Sequence, residues 1–200
     1  KVLKKESSWF IIANKLISPD IKINEKYINF SNSEISEKDK EYVKTNLQEA
    51  KSFIKNINYR NDTLLTLSKS ILSHQIDFFN GGIEKLKPLT LKDVAFDINV
   101  HESTVSRLTN GKYIETPYGV FELKFFFSSS IINNDGENFS SISIKQKIKK
   151  IILLEDKLNP HSDEKIADML SIDGIKLARR TVAKYRESLN LESSSKRKTK

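Results

Sequence analysis

The stretch LTLKDVAFDINVHESTVSRL, residues 89–108, decides the fold. It reads as two short helices around a tight turn. Thr90 caps the first helix, and Leu91, Val94, Ala95 and Ile98 share its inward face. Asn99, Val100 and His101 turn the chain. Residues 102–109 form the second helix, with Val105 and Leu108 inward. Small Ala95 lets the helices approach closely, and Ile98, Val100, Val105 and Leu108 staple them. This is the spacing of a helix-turn-helix. The second helix turns Ser103, Thr104, Ser106 and Arg107 outward, short hydroxyls and one cation suited to phosphates and base edges. KYIETPYGVFELK, residues 112–124, then reads as a hairpin on a Pro117-Tyr118-Gly119 turn, as a wing would. Many helical pairs imitate this spacing, so the pattern alone leaves nucleic-acid binding open.

Upstream, the pattern is helical from about Ser36. Val43, Leu47, Ala50, Ile54 and Ile57 follow the i, i+4, i+7 rule, with Ser36 as cap and Asp39 at the positive end of the dipole. RND at residues 60–62 predicts an interruption, with Asn61 or Asp62 capping a second helix. That helix runs through Leu64, Leu67 or Ser68, Ile71, Gln75 and Phe78 to a Gly81-Gly82 stop. Before Ser36, PDIKINEKYINF (residues 19–30) predicts short strands, with Ile21, Ile23 and Tyr27 alternating around Asn24-Glu25. With Lys1 as first residue and an exposed strand edge, a segment upstream is expected.

Downstream, SSSIINNDGENFSS (residues 128–141) has no period and reads as a flexible linker and domain boundary. Beyond it lie a helix with Ile144, Ile148, Ile151 and Ile152 inward, and a second, capped by Ser162 or Asp163, with Ile166, Ala167 and Leu170 inward. After a turn at Gly174 comes ARRTVAKYRE, residues 178–187, with four cations and one tyrosine in ten residues. At 100° per residue, Ala178, Val182, Tyr185 and Leu189 fall within about 60° and form the buried stripe. Arg180, Lys184, Glu187 and small Ala183 lie opposite, Arg179 and Arg186 share one flank, and Thr181 lies on the other. Arg180 and Lys184 are like charges at i, i+4, which costs a few tenths of a kcal/mol unless an anion relieves it. A guanidinium can grip O6 and N7 of guanine, and Ala183 leaves room for a groove floor.

Composition agrees with a polyanion partner for this end. The chain of 200 residues carries a net charge of +8. Residues 145–200 hold 15 Lys/Arg against 8 Asp/Glu, a net of +7, leaving +1 for residues 1–144. Residues 191–200 read as a basic tail. There is no cysteine, which excludes disulfides and thiolate chemistry and suits a reducing cytoplasm. His74, His101 and His161 are scattered, no metal or cofactor site is expected, and no apolar run is long enough for a membrane span. No nucleophile–base pair suggests an enzyme. Three readings follow from the residues: a DNA-binding protein, a helical protein docking an acidic partner, and an ordinary solvated basic face.

ARRTVAKYRE resembles the RpoN box, the signature of the sigma-54 class of bacterial RNA polymerase sigma factors. HESTVSRLTNGKYIETPYGVFELKFFFSS (residues 101–129) is similar to the family's central helix-turn-helix, and NLQEAKSFIKNINYRNDTLL (residues 46–65) to the approach to its extra-long helix. The likeness runs over residues 19–190. It implies a mainly α fold with two helix-turn-helix units joined by a flexible linker: residues 1–33 as the tail of a core-binding domain, 34–130 as the long-helix and helix-turn-helix domain, 131–144 as linker, 145–190 as the RpoN box domain and 191–200 as tail. It implies promoter recognition for core RNA polymerase, with opening by an ATP-driven AAA+ activator. Arg179, Arg180, Thr181, Lys184 and Arg186 would then contact an upstream GG element, and Ser103, Thr104, Ser106 and Arg107 a downstream GC element. A stand-alone helix-turn-helix regulator is the alternative. The family's glutamine-rich N-terminal segment and most of its core-binding domain have no counterpart in this sequence.

Overall fold

The computed structural model describes residues 1–6, 8–13, 21–24, 26, 36–128, 130–132 and 138–199. It is mostly helical, with small two-stranded hairpins. It divides into two compact units, Lys1–Lys69 and Ser70–Lys200.

In the first unit, β1 (Val2–Lys5) and β2 (Ser8–Ile11) pair antiparallel, Val2 opposite Ile11 and Lys4 opposite Trp9. The Lys4 ammonium lies 5.3 Å from the centre of the Trp9 ring, a cation–π contact across the pair. This hairpin precedes the stretch expected to form strands, most of which (residues 19, 20, 25 and 27–30) lies outside the described residues. Residues 21–24 form no strand, and the Lys26 N–H donates to Asn24 Oδ1 at 3.0 Å, a local turn bond of the kind asparagine favours. Tyr27 lies outside the described residues.

Helix α1 (Glu37–His74) is a single run of 38 residues, about 57 Å at 1.5 Å per residue. Its start is as expected: the Ser36 hydroxyl accepts from the Asp39 N–H at 3.2 Å and donates to the Asp39 carboxylate at 2.6 Å. The interruption predicted at residues 60–62 does not occur. Asn and Asp inside a helix cost well under about 1 kcal/mol each. Here the Thr63 and Thr66 hydroxyls donate back to the carbonyls of Tyr59 and Asp62, within a continuous helix.

In the second unit, α1 ends at His74 and α2 (Ile76–Gly81) follows after Gln75. Gln75 is fully buried and acts as a strut: its amide donates to the Lys87 carbonyl at 2.8 Å and its oxygen accepts from the Lys87 N–H at 3.0 Å. Gly82, at φ +82°, turns the chain as the glycine pair predicted, and a Cβ there would meet the Tyr118 ring at 3.4 Å. Helix α3 (Leu91–Asp97) starts with a reciprocal Thr90–Asp93 capping box. Asn99, at φ +52°, then turns into α4 (Glu102–Thr109). The hairpin β3 (Tyr113–Thr116) and β4 (Gly119–Glu122) closes over Pro117-Tyr118. Its inner side meets an aromatic core: the Phe78 ring stands 5.2 Å from Phe79, 5.6 Å from Phe121 and 5.1 Å from Phe126, all edge-to-face.

The linker expected over 131–144 is largely structured where it is described. β5 (Ser130–Ile132) pairs with β6 (Asn138–Ser140), and Ser140 caps α5 (Ser141–Leu154), which therefore starts before residue 145. A polar, aperiodic stretch hid a short hairpin and a cap; residues 133–137 lie outside the described residues. Helices α6 (Asp163–Ile172), α7 (Arg179–Ser188) and α8 (Ser194–Arg197) complete the chain. Ile144, Ile148, Ile152, Ile166, Leu170, Ile175 and Val182 form a wholly aliphatic second core. Among the described residues, no helix is long and apolar enough to cross a membrane, and no cluster is built to hold a metal.

Candidate nucleic-acid interface

Helix α7 is set on α6 through a six-residue connection that turns at Gly174, φ +81°. Val182 is buried in the aliphatic core, Tyr185 is half-buried against it, and Leu189 is half-buried. The Lys145 ammonium lies 5.4 Å from the Tyr185 ring, and burial raises the Tyr185 hydroxyl above its ordinary pKa. Tyr185 is thus a packing residue. Ala178 is not part of the buried stripe: it is the exposed N-cap and offers no side-chain cap.

Arg179, Arg180 and Lys184 are exposed, with Thr181 and Ala183 half-buried among them. Among the described residues no carboxylate pairs with Arg179, Arg180 or Lys184. Arg179 and Arg180 occupy the first turn, where no acidic residue balances the positive end of the helix dipole. An arrangement that repels itself in three ways — dipole, neighbours, i to i+4 — is a ready seat for a polyanion.

Arg186 departs from the expectation. It is 5% exposed and faces inward. Its Nε donates to Asp163 Oδ1 at 2.8 Å, Nη2 to Asp163 Oδ2 at 3.2 Å and Nη1 to the Leu191 carbonyl at 2.7 Å. The Asp163 hydrogen bond, outweighing burial, holds its pKa above the usual arginine value. As a DNA contact Arg186 is corrected to a buried ion-pair residue. Arg186 sits four residues after Val182, at the edge of the packing side, but its mate Asp163 is 23 residues away in sequence and nothing local names it.

On α4, Ser103, Ser106 and Arg107 are exposed and Thr104 is half-buried, while Val105 and Thr109 face the core. The Ser103 hydroxyl is engaged with His101 Nδ1 at 2.9 Å, in the turn where His101 caps the helix. On the hairpin after α4, Tyr113, Glu115 and Val120 are exposed, and the half-buried Glu122 accepts from the Gly111 N–H at 2.8 Å.

The tail is also docked. Arg197 forms a two-bond pair with Glu155, Nε to Oε1 at 2.6 Å and Nη2 to Oε2 at 3.1 Å, and donates to the carbonyls of His161 and Glu192. The Thr199 N–H donates to the Lys157 carbonyl at 3.0 Å.

Residues 40–199 match the family described as Sigma-54, DNA binding domain. The chain is 47% identical over 197 residues to the RNA polymerase sigma-54 factor of Vibrio anguillarum, covering 98% of this chain and 40% of that protein. It is 43% identical over 197 residues to the RNA polymerase sigma-54 factor of Escherichia coli K12, covering 98% of this chain and 41% of the relative. The structure of Aquifex aeolicus sigmaN bound to promoter DNA is similar at a TM-score of 0.61 and 36% identity, covering 98% of this chain and 58% of that one. The chain thus spans about 40% of the length of these curated relatives. By sequence and by fold, the chain belongs to the sigma-54 factor family, its residues 40–199 matching that family's DNA-binding domain.

Proposed function

We propose that this chain is the promoter-recognition part of a sigma factor that directs core RNA polymerase to promoters carrying GG and GC elements. The observation that carries the reading is the uncompensated cationic face of α7. Arg179, Arg180, Thr181 and Lys184 enter the major groove at the upstream GG element, an arginine giving a bidentate bond to guanine. Ser103, Thr104, Ser106 and Arg107 on α4 face the downstream GC element, with α3 and α4 as one helix-turn-helix and α6 and α7 as the other. Residues 34–130 and the C-terminal part from about residue 140 serve as the two DNA-binding halves. The whole protein, of which this chain matches about 40% of its relatives' length, works in the cytoplasm with core polymerase and an AAA+ activator that uses ATP; this chain has no catalytic role and needs no cofactor. Similarity over 98% of the chain to sigma-54 factors leaves the stand-alone regulator without support of its own.

The test is binding to duplexes with separated GG and GC elements against a scrambled duplex, over a salt series. Arg180→Ala is expected to weaken the GG duplex by about 1–3 kcal/mol and the scrambled one far less. Equal losses on both would remove base reading from α7.

A further inference from the structure

We infer that Arg186 is a positioning residue for DNA reading: its buried pair with Asp163 sets the rotation of α7 on α6, so that Arg179, Arg180 and Lys184 present one face to the groove. The inference rests on the promoter reading above.

Three elements meet at this guanidinium. Asp163 is the first residue of α6, where a carboxylate also suits the positive end of the helix. Arg186 lies in the last turn of α7. Leu191 begins the segment that leads to the docked tail. The side chains of Arg186 and Asp163 are 6% and 17% exposed, so the pair is nearly shut from water.

The alternatives for fixing α7 are weaker. The connection over residues 173–178 is long for a helix-turn-helix and contains Gly174. Val182, Ile166 and Leu170 supply burial, but aliphatic contact is non-directional and tolerates small rotations. A planar, two-bond guanidinium–carboxylate pair does not. A rotation of α7 by one residue step, about 100°, would carry the exposed cations to a flank. A far smaller error suffices to spoil a bidentate bond to a base.

A DNA contact and a brace predict different things. Asp163→Asn, Arg186→Lys and the double variant are compared with wild type on GG and scrambled duplexes over a salt series. As a brace, either single change lowers the GG-to-scrambled affinity ratio by roughly tenfold, the scale of one lost base contact. The two changes are then strongly non-additive. The salt dependence on scrambled DNA stays as in wild type. If instead Asp163→Asn leaves the ratio intact while Arg186→Lys lowers it, Arg186 touches DNA and the proposal is overturned.

Removing one partner of a buried pair can unfold a domain, so a measurement on wild type stands beside the variants. The Arg186 Nε–H resonance in the free 200-residue chain is expected to exchange slowly with solvent and to hold its position when the GG duplex is added. Fast exchange in the free chain, or a large shift on DNA, overturns the brace. A wild type that binds both duplexes alike overturns the promoter reading and the positioning role together.

Discussion

Glu155 and Arg197 lie 42 residues apart in sequence and join by two bonds, the shorter 2.6 Å, fastening the last described residues to the turn between α5 and α6. Their side chains are 3% and 11% exposed, so this is an interior pair made by a segment that composition alone would class as a tail.

Cutting that pair is expected to destabilise the C-terminal helices it ties together. Arg197→Ala leaves Glu155 buried without its cation, a loss of about 3–5 kcal/mol by analogy with other one-sided cuts of buried pairs. Removing residues 191–200 is expected to do the same. Urea unfolding followed by circular dichroism would check both. Lys198→Ala, close by but exposed, is expected to change stability little, and equal effects at Arg197 and Lys198 would refute the clamp.

Acid is expected to release it. Burial works to raise the Glu155 pKa, but the Arg197 hydrogen bond, aided by the His161 N–H and the nearby charges, leaves it below the ordinary glutamate value. The Ser70 and His74 hydrogen bonds hold Asp97 low, and the Thr90 hydroxyl and N–H hold Asp93 low. A depressed carboxylate stabilises the fold fully above its unfolded pKa, about 4, and loses that contribution as pH falls through the folded value. Stability should therefore hold on the neutral side and decline on acidification below about pH 4. Glu155→Gln is expected to be less stable at neutral pH and to show a shallower acid decline, read from unfolding midpoints against pH.

Lys184 should show opposite signs in two assays. Replacing it with Gln removes repulsion from Arg180 and is expected to leave the free protein unchanged or more stable by a few tenths of a kcal/mol. The same change should weaken DNA binding and reduce the slope of log affinity against log salt by about 0.9, one phosphate contact. A variant that loses stability and keeps its salt slope would place Lys184 in the fold rather than at the interface.

Much of this architecture was legible in the residues. The Thr90 cap, the Asn99 turn, the Pro117-Tyr118 hairpin and the aliphatic stripe of α5 each follow from short-range rules, and each is found. What escaped was set by partners distant in sequence. Nothing local marks Asp163 as the mate of Arg186, or Glu155 as the mate of Arg197, and an arginine on a wheel looks equally suited to water or to a buried carboxylate. The continuous α1 escaped for another reason: Asn61 and Asp62 favour caps in isolation, yet their interior penalty is small enough for flanking helix to override. The hairpin at residues 2–11 was too short for its alternation to stand out.

The chain has one tryptophan, Trp9, and it belongs to the small hairpin where Lys4 covers its ring. Intrinsic indole fluorescence will therefore report on that hairpin, since no tryptophan lies on α7 or in the aliphatic core. Spectroscopists following the cationic helix will need a reporter of their own, and the half-buried Tyr185, whose ring faces Lys145, is the natural place to read one.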